Sequence, residues 1–338
     1  MKFKKILLIV IASFTLLVLV GLSYQFISTK IDDCRYPAPG KMVAVDGFKL
    51  HINCSGTGTP TVILESGLAN FSTYWTFVQK GVEQFAHVCS YDRAGRGWSE
   101  KSPNPRTGAF IVKELHTLLQ NMHAQPPYIL VGHSSGGINM RLYANTYPDE
   151  VFGIVLVDSS HEKQEERFEE VQKRFPRPIL DRIKGYILTS RIAIYLGITR
   201  LYLTLQDAPP FPTSIKDVLI AKMKSTNSLT TDEFTPFKET LKQIEQSHNA
   251  LEDKPLIVIT GGKELDAPEG FKQEANEVGK IFHIFQKELL QLSKVSKQVI
   301  AENSGHMINL EQPEIIVDAI REMVNDYRKA QATPLAAP

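Results

Sequence analysis

Val131-Gly132-His133-Ser134-Ser135-Gly136-Gly137 is the stretch around which this chain is organised. Tyr128 to Val131, just before it, is a short apolar run that reads as a buried strand. Ile138 to Tyr147, just after it, carries Ile138, Leu142 and Tyr143 at helical spacing. A strand, a Gly-x-Ser-x-Gly turn and a helix make an elbow that lifts one serine out of the backbone. The tight turn pushes Ser134 into a strained conformation, and side chains at Gly132 or Gly136 would strike the neighbouring elements. The amide of Ser135 opens the helix, where a developing negative charge is stabilised. A glycine-rich turn with two incidental serines is the bland reading of the same letters. The strand before and the helix after weigh against it.

The bulk numbers bound the rest. A chain of 338 residues holds one large α/β domain plus an insertion. Hydrophobic residues make up 43% and charged residues 22%, as in ordinary globular proteins. A net charge of +1 supplies no field to attract nucleic acid, so no nucleic-acid partner is expected. Three scattered cysteines without a Cys-x-x-Cys give neither a disulfide scaffold nor a zinc site, and no metal or cofactor is expected.

The amino terminus stands apart. Lys2, Lys4 and Lys5 precede an apolar run from Ile6 to Leu22. Seventeen helical residues rise about 25 Å, and Ser23 and Tyr24 extend them toward the roughly 30 Å of a bilayer core. A secretory h-region is usually shorter, and Gly21 and Ser23 make a poor cleavage site. The reading is a basic cytoplasmic end at 1–5 and a transmembrane signal anchor at 6–24, with the remainder outside the cytoplasm; secretion after cleavage is the alternative. Residues 25–41 read as a linker ending at Pro37, Pro39 and Gly40.

Beyond the linker, strands and helices alternate. Asp46-Gly47 between two apolar-alternating runs marks a hairpin. Further strands are expected at 61–64, 87–91, 128–131, 152–158, 256–260 and 298–301, with amphipathic helices at 108–122, around 278–293 and at 314–327. Such alternation gives a mostly parallel sheet covered on both faces, with ligands beyond the carboxyl ends of the strands. Core residues are assigned to 42–160 and 251–328, a helical insertion to 161–250, and a disordered tail to 329–338.

With Leu64-Glu65-Ser66-Gly67-Leu68, Tyr91-Asp92-Arg93-Ala94-Gly95-Arg96-Gly97-Trp98-Ser99, the elbow, Ser304-Gly305-His306 and Glu311-Gln312-Pro313-Glu314, the chain resembles the α/β-hydrolase family over residues 42–328. That family holds esterases, lipases, proline iminopeptidases, epoxide hydrolases and haloalkane dehalogenases. The resemblance implies Ser134 as nucleophile and His306 as its base, in the order Ser…acid…His. It implies that His133 belongs to the elbow and points away from the site. It offers three acids: Asp158 at the end of one strand, favoured here, and Glu264 or Asp266 in the loop after the next. It places the oxyanion donors on the backbone of Leu68 and Ser135, and a cap over the site in the insertion. Asp92 and Arg93 read as organisers of their turn, and Trp75 and Trp98 as either pocket or packing residues.

A serine rather than an aspartate at the elbow fits acyl transfer and not epoxide opening. The expected function is a membrane-anchored serine hydrolase of carboxylic esters, acting on a small-molecule ester. Two alternatives stand beside it. One is a proline iminopeptidase-type peptidase, whose substrate amine would need acids such as Glu165, Glu166, Glu169 and Glu170. The other is a non-catalytic binding module on the same fold. Cys54 and Cys89 fall on strands that are neighbours in this fold, so a disulfide and three free thiols both remain open.

Overall fold

The computed structural model describes residues 2–175, 192–206, 212–227, 230–249, 251–265 and 267–332. They divide into two compact units. One contains residues 38–179 and 229–338, and the other residues 1–37 and 180–228.

The larger unit is built on eight strands: β1 (Lys41–Val45), β2 (Phe48–Ser55), β3 (Thr61–Glu65), β4 (Val88–Tyr91), β5 (Tyr128–His133), β6 (Val151–Val157), β7 (Leu256–Gly261) and β8 (Ser296–Ala301). Their order across the sheet is β1-β2-β4-β3-β5-β6-β7-β8. Only the first two pairings are antiparallel. From β4 to β8 every pairing is parallel. The predicted hairpin is present, since Val45 faces Phe48. Asp46 and Gly47 both take positive φ, 45° and 94°, as a two-residue turn matched to strand twist requires. Cys54 lies opposite Cys89 in the β2–β4 ladder, and the two form a disulfide.

The central strands are apolar on both faces because both faces are covered. Leu130, Leu156 and Val258 pack on one side with helices at Gly108–Asn121 and Ser135–Thr146. Val131, Val155 and Ile259 pack on the other with helices at Thr76–Val82 and Pro313–Ala332. Trp75 is wholly buried in the second layer, and Trp98 packs edge-on against Phe71. Trp75 is therefore a packing residue, and Trp98 is half-buried against Phe71 and His51. The closing helix runs to Ala332, so residues 329–332 are helical rather than part of a tail. Residues 333–338 of the expected tail lie outside the described residues.

The smaller unit corrects two boundaries. Its first helix, α1 (Lys2–Arg35), runs through most of the expected linker. Gln25, Thr29, Asp32 and Asp33 end the apolar run but not the helix. Thr29 Oγ1 donates to the Gln25 carbonyl, and Asp32 and Asp33 are paired with Arg200 and Lys222. The helix stops where Pro37 follows. Residues 3–35 are long and apolar enough to cross a membrane, with a mean hydropathy of 2.8 over the most apolar stretch. The insertion at 161–250 is not one body. Its flanks, with helices Gln164–Gln172 and Thr230–Gln246, belong to the sheet unit, and residues 180–228 belong with α1.

Candidate active site

The turn after β5 has the geometry its letters demand. Ser134 has φ 54° and ψ −124°, a region that L-residues occupy only under constraint. Its N–H donates to the Val157 carbonyl, and its own carbonyl accepts from Gly137 and Ser160. A Cβ at Gly132 would come within 2.6 Å of the Gly136 carbonyl oxygen. One at Gly136 would come within 2.6 Å of the Glu65 carbonyl oxygen. Bare backbone at both positions lets β3, β5 and the following helix close around the serine.

His306 follows β8, and Asp158 follows β6. The His306 Nδ1–H donates to Asp158 Oδ2 across 2.6 Å. Asp158 is itself fixed: it has a positive φ of 42°, its Oδ1 accepts from the Gly261 N–H at 3.0 Å, and its N–H donates to the Ile259 carbonyl at 2.7 Å. A carboxylate on Nδ1 holds the imidazole in the tautomer whose Nε2 can accept a proton. Asp158 is buried while the His306 side chain is 39% exposed, so the carboxylate is sheltered and the imidazole is accessible. Glu264 forms no hydrogen bond with His306 among the described residues. It stands instead in the wall of a cavity of about 370 Å³, with Asp158, Leu265, Phe282, His283 and His306. Asp266 lies outside the described residues.

His133 does not point away from these groups. Its Nε2–H donates to the His306 carbonyl at 2.8 Å, and the two rings lie 4.7 Å apart. Burial, and then the neighbouring His306, lower its pKa to about 3, so the ring is neutral and acts as a fixed donor. The β5 strand is buried on both faces, and a residue turned from one face still meets structure on the other. His133 therefore packs under the His306 loop, and the expectation that it points away from the site is corrected.

The loop after β3 runs beside Ser134, where a Cβ at Gly67 would lie 3.1 Å from the serine Cβ. Neither Leu68 nor Ser135 spends its backbone N–H on a hydrogen bond among the described residues. The loop is held by Arg93. Its NH1 donates to the Ser66 carbonyl at 2.6 Å and to Glu65 at 3.0 Å, and its NH2 donates to the Gly67 carbonyl at 2.7 Å. Asp92 is a turn organiser, accepting from the backbone N–H groups of Ser72 and Trp98 and bonding to the His51 ring. Arg93 reaches further than its own turn.

Glu233 was not singled out by its sequence. It is buried, bonds to Arg93 through both carboxylate oxygens at 3.0 and 3.2 Å, and to Arg96 at 2.9 Å. It also accepts the Ala69 N–H at 3.1 Å. A charged residue in a charged helix gives no local signal for this role. Only the presence of two arginines in the Tyr91–Ser99 motif, each needing a buried counter-charge, hints that an acid must come from elsewhere. The acids at 165–170 are spent differently. Glu165 pairs with Lys238, and Glu166, Glu169 and Glu170 are exposed.

Residues 60–183 match the sequence profile of the alpha/beta hydrolase fold. The chain is similar, at 27% identity over 299 residues, to an AB hydrolase superfamily protein of Gibberella zeae, spanning 80% of this chain and 87% of that protein. It is similar at 24% identity to the Bacillus subtilis protein YqjL, spanning 84% of this chain and 91% of that one. Among solved structures it is similar to an esterase from Thermogutta terrifontis, with a TM-score of 0.51, 18% identity, and coverage of 85% of this chain and 98% of the other. It is also similar to a mutant epoxide hydrolase from Vigna radiata, with a TM-score of 0.61, 18% identity and the same coverages, 85% and 98%. An esterase and an epoxide hydrolase on one architecture leave the choice of reaction to the residues at the site.

Proposed function

This chain is an α/β hydrolase by fold, and from that premise we propose that it is a membrane-anchored serine hydrolase that cleaves carboxylic esters through an acyl-enzyme. The observation that carries the reading is the 2.6 Å hydrogen bond from His306 Nδ1 to Asp158, in a chain that also holds Ser134 on a strained turn. In this reading His306 Nε2 takes the Ser134 hydroxyl proton as Oγ attacks the ester carbonyl carbon. The backbone N–H groups of Leu68 and Ser135 receive the oxyanion. Collapse of the tetrahedral intermediate breaks the bond to the alkoxide, which takes the proton from His306. Water then repeats the sequence on the acyl-enzyme and releases the acid. Asp158 holds the imidazole through Nδ1 and stabilises the imidazolium.

The anchor is α1. Lys2, Lys4 and Lys5 keep its amino end in the cytoplasm and so place the hydrolase unit outside, where the Cys54–Cys89 disulfide is at home.

Labelling of the full chain with a fluorophosphonate tests the reading. Covalent modification at Ser134, abolished in Ser134→Ala, is the expected result, followed by turnover of p-nitrophenyl esters of some chain length. A chain that is folded but inert to the probe is a binding module, and the proposal fails.

A further inference from the structure

Residues 192–205 carry an exposed apolar face beside α1. Residues 192–195 form a helical turn and Ile198–Leu205 the next helix, here α2 of the smaller unit. Their two faces have opposite surroundings. Ile194, Arg200 and Leu203 are buried. Ile192, Tyr195, Ile198, Leu201, Tyr202 and Leu205 are between 41% and 72% exposed. A face with six large apolar side chains in solvent calls for an occupant.

The buried face rests on α1. A Cβ at Gly21 would lie 2.7 Å from the Leu196 carbonyl oxygen, and one at Gly197 would lie 2.5 Å from the Tyr24 ring. Arg200 pairs with Asp32 at 2.6 Å and donates to Gln25 at 3.2 Å. Lys222, in the helix Thr213–Asn227, pairs with Asp33 at 3.2 Å. These contacts fix the depth. The apolar run of α1 ends at Leu22, and its contacts with Leu196, Arg200 and Lys222 run from Gly21 to Asp33, about 18 Å along a helix. With α1 taken as the membrane span, these contacts begin where the hydrocarbon gives way to headgroups. The exposed apolar surface of α1 itself continues through Phe26, Ile27 and Ile31, beside that level.

We propose that the Ile192–Leu205 face inserts into the outer headgroup and acyl boundary of the same bilayer that α1 spans. An amphipathic helix at that depth lies in the interface with its apolar face down. Tyr195 and Tyr202 are the residue type that prefers this boundary, and Arg200 turns its charge to Asp32 on the other side. The proposal rests on α1 being a retained membrane anchor.

The test uses the full chain in phosphatidylcholine vesicles. Cys34, the exposed free thiol, is changed to serine, and single cysteines are introduced by Tyr202→Cys or Leu205→Cys and labelled with an environment-sensitive fluorophore. Leu17→Cys reports on the anchor and Asp217→Cys on exposed polar surface. The expected result is quenching at 202 and 205 by lipids spin-labelled near the headgroup, at least twofold stronger than at 217, with aqueous iodide ineffective. Quenching at 17 by deeply labelled lipids, with 202 and 205 as open to iodide as 217, overturns the proposal and leaves the anchor standing. Protection of 202 and 205 from both quenchers means that protein covers the face, and also overturns it. Absence of deep quenching at 17 removes the anchor and the proposal together.

Discussion

Asp158 Oδ2 accepts the His306 Nδ1–H at 2.6 Å, and the other oxygen of the same carboxylate accepts the Gly261 N–H. Asp158 is thereby tied to the strand that precedes the competing candidate, Glu264. Glu264 shares a cavity wall with His306 and no hydrogen bond with it among the described residues.

Asp158→Asn is expected to lose about 10⁴ in turnover with KM little changed, because an amide cannot hold the right imidazole tautomer. Glu264→Gln is expected to stay within about tenfold of the parent chain. Thermal melts of both variants separate chemistry from folding. A dead Glu264→Gln beside an active Asp158→Asn reverses the assignment.

Ser134→Ala and His306→Ala are each expected to abolish ester hydrolysis, and the double variant to be little worse than either, since the groups act as one unit. Steady-state rates of the three variants on one ester measure this. Multiplicative losses would mean that His306 works independently of Ser134.

What the sequence made legible was local. Asp46-Gly47 and the Gly-x-Ser-x-Gly turn are decided by steric demands within a few residues, and both appear as read. The pairing of Asp158 with His306 was legible because Asp158 follows a strand at the same sheet edge. Glu233 was not, because it meets Arg93 across 140 positions and nothing near it in the chain marks it. The split of the insertion was hidden for a related reason. Ile192 to Leu196 reads the same whether its neighbour is the sheet unit, α1 or lipid, and the contacts that decide the matter run back to Gly21 and Asp32.

Those contacts predict what truncation does. A chain beginning at Ala38 loses Asp32 and Asp33, the partners of Arg200 and Lys222, whereas one beginning at Leu22 keeps them. In detergent, trypsin is expected to cut at Arg200, Lys216 or Lys222 at least about tenfold faster in the shorter chain, as local opening becomes easier. Equal cleavage rates would show that α1 does not hold this segment.

Glu233 carries the remaining prediction, because it joins a distant helix to the loop beside Ser134. Burial opposes its charge, but Arg93 and Arg96 outweigh that penalty and hold its pKa down to about 2. Through Arg93 it sets the carbonyls of Ser66 and Gly67, and it binds the Ala69 N–H directly, so the Leu68 amide is fixed from both sides. Glu233→Gln keeps the shape and removes the charge. If the Leu68 N–H receives the oxyanion, kcat is expected to fall by about 10- to 100-fold with KM nearly unchanged, because the lost alignment matters in the transition state. The same substitution has a stability signature whose sign is fixed. A carboxylate depressed from about 4.3 in the unfolded chain to about 2 in the folded one stabilises the fold above the unfolded value. That stabilisation drains away as pH falls through the interval between them. The gap in Tm between the parent chain and Glu233→Gln should therefore be widest near neutral pH, shrink below about pH 4.5, and nearly close by about pH 2. A gap independent of pH would mean that the charge of Glu233 is not what secures the loop. A full-sized fall in kcat with no Tm gap at all would assign it to the chemistry and not to the scaffold.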